Sequence, residues 1–519
     1  MLLRAVRASI AAARYLSTEA AVDVGTGGGA TTTATSTTTK DIGGGGRDTL
    51  GRRLLKLVYT KRSAAITIRK WIDEGHAVRK YELNRIVREL RKLKRYKHAL
   101  EVCEWMTLQQ DIKLLPGDYA VHLDLIGKVR GLTSAEKFFE DLPEEMIGQP
   151  TCSALLHTYV QNKLSEKAEA LMEKMSRDGF LNHPLPYNHM LSLYISGGEL
   201  EKVPKIIQEL KINSSPDVVT YNLWLTVCAS QNDFETAEKV FLEMKKAKID
   251  PDWMTYSALT NLYIKNELIE KAAFTLKEME KRSSNKNRVA YSSLLTLHTN
   301  MGDKDGIHRI WKKMKSSFRK MNDAEYTCMI SSLVKLGELK EAECLYTEWE
   351  SVSVTGDVRI ANIVLAAYIN ANQMEMAEKF SHLMVQKGHT PCYTTWELLT
   401  WGYVKTKQVK NVLDYFKKAV GSVKKWSPDK GLVREVWKIV EDEGNIAEAE
   451  QLLVFLRNAG YVSTEIYNSL LRTYEKAGKM PLIVAERMKQ DNVQLDEETH
   501  NLIKITSQMC VSEISSGFS

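Results

Sequence analysis

Hydrophobic and polar positions along this chain follow a helical period, and the helical pattern itself recurs every 35 residues. Five units keep that spacing from Val218 to Cys392, opening at Val218, Trp253, Arg288, Asp323 and Val358. Each opens on a helix-like run, as in VVTYNLWLTV and WMTYSALTNL. After a turn it continues in a second amphipathic run, as in FETAEKVFLEM and IEKAAFTLKEM. With small slips the beat extends to openings at Lys80, Pro116, Gln149, Pro184, Tyr393, Lys430 and Thr464, and to a partial unit from Glu497. A fixed period of this length is the signature of stacked helix–turn–helix units, since one helix pair cannot bury its apolar faces alone. The pattern predicts an all-α chain with about 12 repeats over residues 80–496, then a partial repeat and tail over 497–519.

The same places in the units take the same kinds of residue. The fourth is aromatic at Tyr119, Tyr187, Tyr221, Tyr256, Tyr291, Tyr326, Trp396 and Tyr467. The twentieth is alanine at 99, 135, 168, 237, 272, 342, 377 and 449, and the twenty-seventh is methionine at 106, 175, 244, 279, 314 and 384. Alanine lets the two helices of a pair approach closely, and the aromatic and the adaptable methionine fill the seam beside it. All three sets are expected in the core. Pro204, at the small-residue place of one second helix, and Pro481, inside another, interrupt the pattern.

Charge adds a polarity that the periodicity does not contain. Residues 47–100 hold 17 Lys/Arg against 5 Asp/Glu, a net +12, while residues 1–46 carry +1. The whole chain is +7, so the remainder is −6. A basic helical segment over 47–79, running into the first repeat, suits a polyanionic partner, and the rest of the array is mildly acidic. The start of the chain, MLLRAVRASIAAARYLST, is rich in Arg, Ala and Ser and has no acid before Glu19. It reads as an organellar transit peptide over 1–17, mitochondrial rather than plastid. Residues 18–46 form a Gly/Thr-rich linker with too few apolar residues for a core. No apolar run is long enough for a membrane-spanning helix, so no membrane insertion is expected. The seven cysteines show no CxxC spacing and are expected as buried thiols in a reducing compartment.

The units read V-x-T-Y-N-x-L near the start, A-E-x-V-F near the middle and M-K near the end, often closing on P-D. VVTYNLWLTVCASQNDFETAEKVFLEMKKAKIDPD carries all of these. The pattern resembles the pentatricopeptide repeat family. With WIDEGH at 71–76 and HALEVCEWM at 98–106, it is similar to the plant organellar P-class. A tetratricopeptide array shares the architecture, but its period is about 34 and its markers differ. The resemblance implies a right-handed α-solenoid that binds single-stranded RNA, one base per repeat, through the fifth and last residues of each unit.

On that resemblance, Asn188 with Asp217 and Asn222 with Asp252 are uridine readers. Ser257 with Asn287 and Ser292 with Asn322 are adenosine readers, and Thr327 with Asp357 is a guanosine reader. Asn362 pairs with an unusual Cys392, and Asn468 with Asp496 again resembles a uridine reader. Leu185, Val219, Met254 and Val289, at the second place, are base wedges. The implied preference across residues 184–392 is 5′-UUAAGY-3′. Ala120 with Gly148, Ser153 with His183, Glu397 with Asp429 and Arg434 with Ser463 fit no such reading. The same Asn, Ser and Asp residues also suit plain helix caps.

Neither His-x-Glu nor Cys-x-x-Cys occurs, so a zinc deaminase is not expected, and no Walker loop or nucleophile elbow is present. The expectation is a non-enzymatic binder needing neither metal nor cofactor. It would act on organellar transcripts in processing, splicing, stability or translation. Two alternatives stay open. One is a structural subunit of the mitochondrial ribosome, holding ribosomal RNA and ribosomal proteins. The other is a protein-binding scaffold, which the acids at 397 and 429 would suit.

Overall fold

The computed structural model describes residues 48–57, 62–283, 287–353 and 355–516. The expected transit peptide and the Gly/Thr-rich linker lie outside these residues. Helices account for the regular structure among them, and none is long and apolar enough to cross a membrane. Helices begin at Lys80, Pro116, Gln149, Pro184, Val218, Trp253, Arg288, Asp323, Val358, Tyr393, Lys430, Thr464 and Glu497, at every opening read from the period. The basic segment ahead of them contains helices Leu50–Leu55 and Ala64–Asp73.

The chain divides into two compact units on either side of the Arg282/Ser283 link. Within each, a helix pair packs on the pair before it, the layering of an α-solenoid. The seam residues account for that packing. Ala99, Ala135, Ala168, Ala237, Ala272, Ala342, Ala377 and Ala449 are fully buried, and the six seam methionines are buried with them. Tyr187, Tyr221, Tyr256, Tyr291, Tyr326 and Tyr467 are buried, whereas Tyr119 and Trp396 are only half-buried. Alanine at this place brings the two helices close, and in three repeats the place is taken by a buried Val203, Ile307 or Val412 instead.

The prolines are accommodated rather than disruptive. Val203, not Pro204, fills the seam of its repeat, and exposed Pro204 lies in the first turn of helix Val203–Asn213, where its missing N–H costs nothing. Pro481 precedes helix Val484–Gln490 rather than interrupting it. The cysteines depart from expectation. Cys103, Cys152 and Cys228 are buried, Cys328 is half-buried, and Cys344 and Cys392 are exposed.

A further ladder between repeats carries no obvious motif. Glu169 accepts from Tyr194 at 2.9 Å and pairs with Lys202 at 2.8 Å. Glu238 does the same with Tyr263 and Lys271, and Glu450 with Tyr474 and Arg487. These pairs are partly exposed and each contributes little energy, but they fix the lateral register of neighbouring second helices.

Candidate nucleic-acid interface

Four of the paired positions meet directly. Asn188 lies at the fifth place of helix Pro184–Gly197 and donates from Nδ2 to Asp217 Oδ1 at 3.0 Å. Asn222 donates to Asp252 Oδ1 at 3.1 Å. Asn468 donates to both oxygens of Asp496 at 3.2 Å and to Glu498 at 3.3 Å. Asn362 donates to Cys392 Sγ at 3.6 Å, a long bond to a weak acceptor.

The second member of each of these carboxylate pairs is also a helix cap. Asp217 accepts from Thr220 N–H at 2.8 Å, Asp252 from Thr255 at 2.9 Å and Asp496 from Thr499 at 2.7 Å. Capping and pairing therefore share one side chain. The cap pins the carboxylate, and the pinned carboxylate orients the amide of the preceding repeat. Asn188 is 3% exposed, Asn222 8%, Asn362 7% and Asn468 2%. Bonds this sheltered from water are stronger than exposed ones, and the amides are held still.

Each Asn amide nitrogen carries two hydrogens; at Asn188 and Asn222 the pair bond uses one, whereas at Asn468 the second goes to Glu498. What remains at Asn188 and Asn222 is a donor beside a carboxylate acceptor, a combination that can meet a nucleobase edge. Of the second-place residues, Leu185, Val219 and Met254 are half-buried, and Val289 is 38% exposed.

The other pairs are not joined in the same way. Ser292 donates to the Arg288 carbonyl at 3.2 Å, and Asn322 is engaged in a reciprocal cap with Glu325. Thr327 donates to the Asp323 carbonyl at 2.6 Å. Asp357 is gripped by Arg359 at 2.6 Å, and that guanidinium holds its carboxyl below the ordinary range. Ser257 and Asn287 belong to different compact units; Ser257 is half-buried, and Asn287 caps its own helix through Ala290 N–H at 3.1 Å. Glu325, buried beneath Arg288, was not legible as a cap partner in the periodic pattern.

Cys392 occupies a place where the other three joined pairs have an aspartate. Burial acts to raise its thiol, but hydrogen bonds from Thr395 and Asn362 outweigh it and hold the thiol below its ordinary value. Away from the pairs, His183 caps its helix through Leu185 N–H at 3.2 Å. His189 is buried beside His157, with ring centres 4.9 Å apart.

This arrangement of repeats has relatives. The sequence pattern described as "PPR repeat family" matches residues 216–262, and that described as "PPR repeat" matches 150–180, 186–214, 254–284 and 326–354. A mitochondrial pentatricopeptide repeat-containing protein of Arabidopsis thaliana is 62% identical over 475 residues, covering 92% of this chain and 89% of its own. The chain belongs to the pentatricopeptide repeat family. A second Arabidopsis member is 34% identical over 450 residues, covering 85% of this chain and 92% of its own. Among solved structures, the maize pentatricopeptide repeat protein PPR10 aligns with a TM-score of 0.47 at 16% identity, over 91% of this chain and 73% of PPR10.

The first pentatricopeptide repeat holds two features that a fixed code register passes over. Asn84, at its fifth place, donates to Asp118 at 2.9 Å, and Lys80 pairs with the same carboxylate at 2.6 Å. Asp118 stands at the third place of the next helix rather than at the end of the unit, so counting to the last residue misses it. On the solvent side of helix Lys80–Lys92, Tyr81, Arg85, Arg88 and Lys92 are exposed. Their spacing of four, three and four residues puts them on one stripe. Tyr81 is 77% exposed, far more than a tyrosine needed for packing.

Proposed function

We propose that this pentatricopeptide repeat protein binds single-stranded RNA in mitochondria, reading bases through the Asn–Asp pairs and gripping phosphates through the basic first repeat. The observation that carries the reading is the recurrence of one geometry at 188/217, 222/252 and 468/496. A plain cap needs only the carboxylate; it does not need a buried amide from the preceding repeat aimed at it. The 188/217 and 222/252 pairs each offer a donor and an acceptor side by side, which suits the carbonyl and ring N–H of uracil. The mitochondrial assignment draws on the Arg-rich start of the sequence and on the relative that is 62% identical.

Of the implied 5′-UUAAGY-3′ preference, the two leading uridines have the firmest support, since both of their pairs are joined and adjacent. The action on a transcript would be passive, by occupying or remodelling a segment that other factors must reach. Equilibrium binding to 5′-UUAAGY-3′ and to its scrambled form at moderate salt tests the reading. A clear preference supports it, and equal affinity removes it.

The stripe Tyr81–Arg85–Arg88–Lys92 favours a second reading, a structural role on ribosomal RNA, because phosphate contacts position a protein without reading sequence. Gradient sedimentation of mitochondrial extract separates the two. Comigration with a ribosomal subunit in high salt, lost on EDTA, favours the structural role, and crosslinking to one messenger or intron favours transcript binding.

A further inference from the structure

The reader asparagines have a further partner, and it comes from the repeat that follows. Thr220 Oγ1 lies 2.8 Å from Asn188 Oδ1, and Thr255 Oγ1 lies 2.7 Å from Asn222 Oδ1. Thr395 stands at 2.9 Å from Asn362 and Thr499 at 2.7 Å from Asn468. All four threonines occupy the third place of a first helix, and all four are fully buried.

The direction of the bond follows from counting lone pairs. Thr220 Oγ1 also lies 2.9 Å from Asp217 Oδ1, but that oxygen already accepts from Thr220 N–H at 2.8 Å and from Asn188 Nδ2 at 3.0 Å, which fills its two sites. Thr220 Oγ1 in turn accepts from Asp217 N–H at 3.2 Å, leaving its single proton to donate. The remaining acceptor is Asn188 Oδ1. The hydroxyl therefore holds the amide oxygen inward while the carboxylate holds the amide nitrogen, and the second amide hydrogen is what a ligand meets. An amide turned over would set its carbonyl beside the carboxylate. Two acceptors would then face the base, which suits an amino group as on cytosine or adenine and not uracil.

We infer that the third-place threonines Thr220, Thr255, Thr395 and Thr499 are positioning residues that set base choice in the preceding repeat by locking the orientation of its reader amide. This rests on the proposed RNA reading. It means that a repeat cannot be assigned from its own fifth and last residues alone. The lock matters most at Asn362, where the Cys392 thiol is a poor acceptor and Thr395 holds the amide almost unaided.

Thr151 supplies an internal control. It is a fully buried third-place threonine, but its hydroxyl lies near the Met146 and Gly148 carbonyls, and the preceding repeat has Ala120 at the fifth place. The test compares full-length wild type, Thr220→Val, Thr220→Ser and Thr151→Val, with affinities for 5′-UUAAGY-3′ RNAs carrying each of the four bases at the nucleotide facing Asn188. Valine keeps the shape and removes the hydroxyl. Thr220→Val should lower the preference for uridine over cytidine and adenosine there by about fivefold and leave the next nucleotide unchanged. Thr220→Ser should restore it, and Thr151→Val should lose stability with no change in preference. If wild type prefers uridine and Thr220→Val keeps that preference undiminished, the lock is wrong while base reading stands. If wild type shows no preference, the base reading itself fails.

Discussion

Asn222 and Asp252 stand 30 residues apart in sequence and are joined at 3.1 Å, with the carboxylate also capping the helix that opens the next repeat. One side chain thus ends one unit, caps the helix of the next and orients Asn222 between them. Replacing Asn222 with Ala should weaken binding to RNA with uridine at the facing nucleotide by about 1–3 kcal/mol, and should cost about 1 kcal/mol of folding because Asp252 and the buried Thr255 hydroxyl each lose a partner. Asp252→Ala should also cost both, because about 1 kcal/mol of cap goes with it. Titration against one RNA, alongside thermal unfolding, separates these outcomes.

The Asn362–Cys392 pair is the weak copy of the same design. Cys392→Asp should replace a thiol with a proper cap and a proper acceptor. The expected result is a gain of about 1 kcal/mol in unfolding free energy and a sharper choice of uridine over cytidine at that place. Denaturant unfolding and base-substituted RNAs measure the two effects.

Gly306 lies in helix Lys304–Ser317 against the bonded pair His298–Asp303, whose Nδ1 and Oδ2 are 2.8 Å apart. A Cβ at 306 would collide with both partners. Alanine gains about 1 kcal/mol of helix propensity but displaces a buried histidine from the acid it is bonded to. The balance predicts that Gly306→Ala loses about 1–3 kcal/mol of stability, measured by denaturant unfolding, with RNA preference unchanged.

His122 is 6% exposed and packs against Phe138 at 4.6 Å. Burial, with Arg130 adding repulsion, pushes its pKa down from 6.5 to about 4. The folded value lies below the unfolded one, so the unfolded chain takes up the proton first as pH falls. Stability is full above about pH 6.5 and is lost progressively toward pH 4. Between pH 7 and pH 5 that is about 2 kcal/mol from this residue. His122→Gln should flatten the pH dependence of the unfolding free energy by about that amount. A parallel, unchanged profile would show that this histidine is not the acid-sensitive group.

Much of this was readable in the sequence, and the reasons are physical. Repeats repeat because every helix pair must meet its neighbour alike. The alanine, methionine and tyrosine places therefore reported burial directly, and every helix opening fell where the period put it. The pairing of Asn188 with Asp217, Asn222 with Asp252 and Asn468 with Asp496 came from the resemblance to the family, and the structure joins the two members of each. What escaped were relationships that cross the unit boundary out of register. Asn84 bonds Asp118, an acid three residues into the next helix, and Thr220 acts on Asn188 from the repeat beyond. Arg359 gripping Asp357 was also invisible, since it depends on one side chain folding back on its own cap. Pro204 misled because a residue's effect in a helix depends on its distance from the N-terminus, which the period alone fixes only to within a residue.

The most direct test of the account is the affinity of the full chain for 5′-UUAAGY-3′ with each of the first two uridines replaced in turn by adenosine, at a fixed moderate salt concentration. Reading by Asn188–Asp217 and Asn222–Asp252 predicts that each replacement weakens binding by about fivefold or more, and that both together weaken it by roughly the product. Equal affinity for the parent, the single replacements and a scrambled RNA would contradict it, leaving those pairs as helix caps and the basic first repeat as the whole of the RNA contact.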